Sequence, residues 1–355
     1  MIPPKTAKNI FVITSPRPLA GLTPVHHIIS ILSKISPSLY FFTGDNGKSI
    51  LLEYKNLAGR SVEYLSSHNF IINVLKYANL QIQIMIDMVK QFRHYDVFMF
   101  FMAEGLFFPV IMAKVLNKVS VLCLASSMPK WAAYTFKNPL LSRAFTEMEK
   151  ISYFFSDRIV VYSPRLISEW NLEKYRHKIL IAHEHFLDFN TFTVTTPFPK
   201  RHPSISYIGR LSGEKGVQHF VQALPAILNN QNDLSVFIGG DGQLKEAIMA
   251  SLHEEGLTAR VDLPGWISHD DLPRYLNQLR LLVLPSYTEG LPNIMLEAMA
   301  CGTPVLATPV GTIPDIIIDG KTGFIMENNS PECIAENVVR ALNSPDLEQI
   351  AENGR

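Results

Sequence analysis

At about 150 residues per domain, the 355 residues of this chain set an expectation of two domains. A hydrophobic share of 47% against 18% charged excludes a disordered chain, and 32 Lys+Arg balanced by 32 Asp+Glu exclude a whole-molecule polyanion binder such as a nucleic-acid-coating protein. The three cysteines, Cys123, Cys301 and Cys333, lie far apart. They offer neither a metal spacing nor a disulfide framework, which fits a reducing compartment.

In chain order, the short β-rich runs of the first half are Ile10–Thr14, Leu39–Thr43, Val97–Phe101, Ser120–Leu124, Arg158–Tyr162 and Lys178–Ala182. Helical patterns separate them, chiefly Phe70–Phe92 and Pro139–Phe155. The stripe Ile71, Ile72, Val74, Leu75, Ile82, Met85, Ile86 and Val89 reads as a core-facing helix, with a membrane role as the second reading. The second half gives strands at Ile205–Ile208, Ser235–Ile238, Arg260–Leu263, Leu281–Leu284, Pro304–Ala307 and Gly323–Ile325. Helices fit between them at Val217–Leu228, Leu244–Glu255, Asp270–Leu276, Ile294–Ala300 and Pro331–Leu342. Apolar strands alternating with helices predict α/β architecture, with two doubly wound, Rossmann-like parallel sheets facing across a cleft.

The segment Thr191–Pro203, with three prolines and little periodicity, is the expected linker between an N-terminal domain (1–190) and a C-terminal one (204–355). The halves differ in composition. Residues 1–190 hold 21 Lys+Arg against 13 Asp+Glu, and the remainder reverses that balance. Of 19 glycines, 14 follow residue 190, so the second half is the expected ligand-cradling half. The N-terminus has no signal-peptide layout, and the most apolar window, Val97–Leu116, is interrupted by Glu104, Pro109 and Lys114. A cytoplasmic protein is expected.

Three segments carry chemistry. Tyr207–Gly216 (YIGRLSGEKG) sets Arg210 and Lys215 in a glycine-punctuated loop ahead of a helix; two cations and backbone N–H groups suit a diphosphate. Phe237–Gln243 (FIGGDGQ) again joins a strand to a helix, and Gly240, Asp241 and Gly242 allow a ligand to approach the backbone. The third, Leu284–Pro304, contains EGLPNIMLEAMACGTP. Glu289 sits in the loop after a strand and Glu297 one turn inside the next helix, so two carboxylates can face one ligand and accept hydrogen bonds from sugar or ribose hydroxyls. Gly302 is placed for a left-handed helix cap, and Pro304 blocks continuation.

These segments, in this order, resemble the donor half of retaining glycosyltransferases of family 4, which have the GT-B fold. Glu289 and Glu297 match the family's pattern of an acid, seven residues and a second acid. The likeness is strong from about residue 204 onward and one of layout over 1–190. It implies that Glu289 contacts the donor sugar as the catalytic residue. Arg210, Lys215, Gly290 and Leu291 would then meet the sugar and diphosphate. Glu297, Gly240, Asp241, Gly242, Trp266 and Ile267 would line the nucleotide. It further implies transfer with retention from a nucleotide-sugar to a glycan or lipid-linked acceptor, with no cofactor. No Asp-x-Asp occurs in the chain, and Arg210 and Lys215 can supply positive charge, so no metal is expected.

The loop after the first strand, Ser15–Leu22, holds one glycine where the family often has a pair. Ala125–Met128 stands where the family often has a histidine. A helix that returns to the first domain is also expected to be missing. These departures keep an alternative open: a degenerate GT-B protein acting as a nucleotide-binding scaffold. A nicotinamide oxidoreductase ranks last, because no G-x-G-x-x-G follows the first strand. No nucleic-acid partner is expected. Lys130, Trp131, Tyr134, Phe136, Lys137, Leu140, Leu141, Arg143 and Phe145 combine charge with aromatics, and predict peripheral contact of the first domain with the inner membrane face.

Overall fold

The computed structural model describes residues 8–16, 21–54, 57–64, 70–103, 105–136, 139–183, 185–229 and 233–355. The chain forms two compact units, 1–186 and 187–355. Among the described residues the first unit holds β1 (Ile10–Ile13), β2 (Leu39–Gly44), β3 (Ala58–Val62), β4 (Val97–Phe101), β5 (Val119–Cys123), β6 (Arg158–Val161) and β7 (Ile179–Ile181). The second holds β8 (Ser204–Ile208), β9 (Ser235–Gly239), β10 (Val261–Gly265), β11 (Leu281–Leu284), β12 (Val305–Ala307) and β13 (Phe324–Ile325).

The strand orders are β3-β2-β1-β4-β5-β6-β7 and β10-β9-β8-β11-β12-β13, and the paired strands run parallel. Each order reverses direction beside its first strand, between β1 and β4 and between β8 and β11. Ligands of doubly wound sheets bind at such a reversal, beyond the carboxyl ends of the strands.

Alternation along the strands explains the layers of the second unit. Ile205, Tyr207, Leu281 and Val283 join one buried cluster with Phe220, Leu224, Ile248, Ile334 and Val338. Ile208, Leu282 and Leu284 join another with Leu276, Met295, Ala298 and Ile313. Helices Val217–Asn229, Lys245–Glu254 and Pro331–Leu342 thus cover one face, and Leu272–Leu276 and Asn293–Ala300 the other.

Three expectations change. The edge strand β3, with the sequence AGRSV, was not foreseen, because an exposed edge needs no apolar run. The expected linker is held to the second unit. The Asn277 carboxamide oxygen accepts from Thr195 N (2.7 Å) and Thr196 N (3.2 Å), and Phe192 and Phe198 are buried. Arg201, 3% exposed, donates to the carbonyls of Thr196, Leu279, Cys301 and Gly302 and to the Thr303 hydroxyl, at 2.6–3.1 Å. Burial brings its pKa down to about 10.

The third change concerns helix Phe70–Gln91. Ile72, Val74, Leu75, Ile82, Ile86 and Val89, expected in the core, are exposed. The buried face is instead Leu80, Gln81, Ile84, Asp87 and Met88. Polar residues on that face are satisfied internally: Asp87 accepts from Arg60 (3.0 Å) and Tyr40 (3.3 Å), and Gln81 from Phe108 N (3.2 Å). Periodicity marks an apolar stripe, but here the helix is apolar on both sides, and the paired polar groups chose the inner one.

Of the expected membrane patch, Lys137 lies outside the described residues. Lys130 is bound to Glu169 at 2.8 Å, Leu140 is exposed, and Phe145 is half-buried. Residues 17–20 of the Ser15–Leu22 loop also lie outside the described residues.

Candidate active site

The candidate residues gather at the carboxyl edge of the second sheet. The loop after β8 carries Arg210 and Lys215, and the loop after β11, its neighbour, carries Glu289. These loops are tied to each other and to those after β9 and β10 through their backbones. Gly209 N donates to Gly239 O (2.9 Å), Leu211 N to Asp241 O (2.9 Å), Gly240 N to Gly265 O (2.7 Å) and Tyr287 N to Glu214 O (2.9 Å). Gly240 has φ +135°, and a side chain there would collide with the Gly209 carbonyl, so only glycine allows the two loops to lie this close.

At the centre, Lys215 Nζ donates to both carboxylate oxygens of Glu289, at 2.7 and 2.8 Å. The Ser286 hydroxyl donates to Glu289 Oε1 at 2.7 Å. Glu289 is buried, and an uncompensated charge there would be costly, so the ammonium is its counterion in this state. Arg210 is more open: its guanidinium lies 3.6 Å from the buried Glu214 carboxylate, and its side chain is 44% exposed. Glu214 Oε1 accepts from the Ser212 hydroxyl at 2.7 Å. Glu214 Oε2 and the Thr288 hydroxyl are buried without a hydrogen-bond partner among the described residues. Beneath them Tyr207 donates to the Arg210 carbonyl at 2.6 Å, which fixes the loop from below. Burial first, then the charges of Glu289 and Glu214, push the Tyr207 phenol up, so it stays a donor.

Helix Asn293–Ala300 begins after Pro292, and Gly302 caps it at φ +67°, as expected. Glu297 lies one turn inside and is buried rather than a solvated helical acid. His269, from the loop after β10, meets it: Nε2 and Oε1 are 3.0 Å apart. The hydrogen bond to Glu297 is the main cause of a raised His269 pKa, against the opposing effect of burial. Asp241 accepts from Gly242 N at 2.7 Å and lies 3.5 Å from Lys245 Nζ. Trp266 is exposed beside β10, and Ile267 packs on the core. Gly290 and Leu291 lead into the helix, and the Gly290 carbonyl accepts from both the backbone N and the hydroxyl of Thr312, each at 2.9 Å.

Arg210, Lys215, Glu289, Gly290 and Leu291 therefore share the edge where β8 and β11 meet. Glu297, Gly240, Asp241, Gly242, Trp266 and Ile267 lie on the loops and helix beside it. The sequence reading missed Ser286, Glu214, His269 and Thr312. The one available signal was their place in loops that follow strands. His183 and His185 have ring centroids 5.7 Å apart just after β7, and no group of three or more His, Cys, Asp or Glu among the described residues is placed to hold a metal ion.

Two doubly wound parallel units, the second with two cations and two buried carboxylates at its reversal point, define a GT-B glycosyltransferase fold. The model of the Glycosyl transferases group 1 family matches residues 188–355, the second unit. The chain is 30% identical over 187 residues to the alpha-D-kanosaminyltransferase of Streptomyces kanamyceticus, covering 51% of this chain and 48% of that one. It is 29% identical over 155 residues to the capsular polysaccharide biosynthesis glycosyltransferase CapM of Staphylococcus aureus, covering 42% and 40%. The matches thus span about half the length of these relatives or less. The structure of Anabaena HepE in complex with UDP-glucose superposes over 98% of this chain and 93% of its own, with a TM-score of 0.75 and 16% identity, a likeness of fold.

Proposed function

We propose that this chain transfers a sugar, with retention at the anomeric carbon, from a nucleoside-diphosphate sugar to a hydroxyl of a glycan or lipid-linked acceptor. The observation that carries this reading is the Lys215–Glu289 pair, with Arg210 beside it, at the meeting of β8 and β11. A diphosphate entering there would draw on Lys215 and Arg210, and Glu289 would then turn its accepting oxygens to the sugar. The bond from the anomeric carbon to the β-phosphate oxygen breaks, and the acceptor oxygen takes its place. The acceptor proton leaves with the diphosphate. Negative charge grows on the leaving diphosphate, and two cations held in place stabilise it. In this reading the two cations do that work without a metal. Glu297, oriented by His269, would accept from the ribose hydroxyls. HepE, described with UDP-glucose, supports a UDP-sugar as the first donor to try, and CapM, named for capsular polysaccharide biosynthesis, supports a glycan acceptor.

The test is release of nucleoside diphosphate from UDP-, GDP- and ADP-sugars in excess EDTA, with binding measured by calorimetry. One donor should be turned over. Glu289→Gln should lose turnover by a factor of about 100 or more while nucleoside diphosphate affinity stays within about twofold. Donor binding without release would favour a nucleotide-binding scaffold. An equal loss of diphosphate affinity in Glu289→Gln would remove that carboxylate from the sugar.

A further inference from the structure

Helix Phe70–Gln91 is the longest element of the first unit among the described residues, and its outward face is out of keeping with a solvated surface. Leu75, Ile82, Ile86 and Val89 are 45–64% exposed. Their spacings of seven, four and three set them in one line along the helix. Ala78 lies in the same band and Met85 at its border, while the exposed Asn79 fills the step between Leu75 and Ile82, so the unbroken apolar stretch runs from Ile82 to Val89. The opposite face, Leu80, Ile84 and Met88, is already buried in the unit, so the outward apolar band is surplus to the fold. The adjoining helix Phe107–Val115 adds Phe108, 48% exposed. Contiguous apolar surface of this kind marks a contact site.

Charge decides what covers it. The sequence of the helix contains one carboxylate, Asp87, and it is buried and bound to Arg60. Lys90, Arg93 and His94 are exposed at the helix end where the band finishes. An apolar band with cations at its end and no exposed acid on its helix fits an anionic lipid interface, where the apolar residues enter the acyl boundary and the cations stay among the headgroups. A second copy of the chain, packed face to face, would leave these cations without counter-charges, whereas anionic headgroups supply them. No helix among the described residues is long and apolar enough to cross a membrane, so the contact is one of lying on the surface.

We propose that helix Phe70–Gln91 docks the first unit on an anionic membrane through Leu75, Ile82, Ile86 and Val89, with Lys90 and Arg93 engaging the headgroups. The inference takes up the second reading of this stripe in place of the Lys130–Phe145 surface, and it stands apart from the transfer reaction because its readout is lipid binding. The experiment is co-sedimentation of the full chain with vesicles of phosphatidylcholine alone or of equal phosphatidylcholine and phosphatidylglycerol. The protein should sediment with the anionic vesicles and remain in solution with the neutral ones. Leu75→Ser/Ile82→Ser/Ile86→Ser and, separately, Lys90→Glu/Arg93→Glu should each reduce partitioning by at least about tenfold. Their circular dichroism should be unchanged, since all five side chains are exposed. A Lys130→Glu/Arg143→Glu variant should bind as the parent does. Failure of the parent to bind anionic vesicles overturns the proposal, as does equal binding by the helix variants. So does a dimer in sedimentation equilibrium that the triple serine variant abolishes.

Discussion

Lys215 and Glu289 are 74 positions apart in sequence and form the closest ionic contact of the site. A lysine in a glycine loop and a glutamate before a helix each suggest a ligand contact, but nothing in their spacing shows that they hold one another. The same is true of His269 and Glu297. Here the raised His269 pKa has a consequence for stability. The group gains its partner on folding, so the stabilisation is full below its ordinary value of 6.5 and is lost as pH rises through the raised folded value. His269→Gln should therefore have a lower Tm than the parent at about pH 6, and the gap should close by about pH 9. A gap that is constant or widens with pH would exclude protonated His269 as the donor to Glu297.

Among elements, most of the second unit was legible because its strands are buried on both faces and read as unbroken apolar runs. β11 was read to the residue, and helix Asn293–Ala300 to within one position. What could not be read was anything set by a partner. β3 has no apolar run to betray it, and helix Phe70–Gln91 could not be oriented, since Gln81 and Asp87 lie on its inner face. The turn before helix Ile313–Ile316 was passed over for the same reason. Gly311 has φ +61°, and a Cβ there would strike the carbonyls of Glu289 and Gly290. That turn is the wall behind the Glu289–Gly290 loop, with Thr312 binding the Gly290 carbonyl. Gly311→Ala should destabilise the fold by about 1–2 kcal/mol and reduce turnover more than diphosphate affinity. Thermal melts and turnover equal to the parent's would show the turn to be plastic.

In the whole molecule, the split of composition matches the split of structure. The glycine-rich, acidic half is the unit whose loops converge at one edge, and the basic half is the unit that presents an apolar helix face. The sequence indicated where the chain divides only approximately, because Thr191–Pro203 has the prolines of a linker but the buried contacts of a domain. Phe192 and Phe198 lie in the core clusters of the second unit, so the chain passes from one unit to the other near Phe186 and Leu187. The family model, starting at residue 188, divides the chain at the same place.

Arg201 connects this segment to the history of the fold. Apart from Thr196, the partners of its guanidinium lie 78–102 positions downstream. They sit where β11 begins and where the glutamate-bearing helix ends. Those carbonyls come together only when β11 and the helix have docked, and closing so long a loop favours bonds that form late in folding. Interactions absent from the transition state govern how fast a protein opens rather than how fast it forms. Arg201→Met should therefore shorten the lifetime of the native state while leaving the refolding rate nearly unchanged, a difference that stopped-flow chevron plots resolve. A refolding limb slowed as much as the unfolding limb is accelerated would place the guanidinium in the nucleus instead. If the bonds do close late, one buried cation acts as a latch, fastening the unit shut only once the rest of it has assembled.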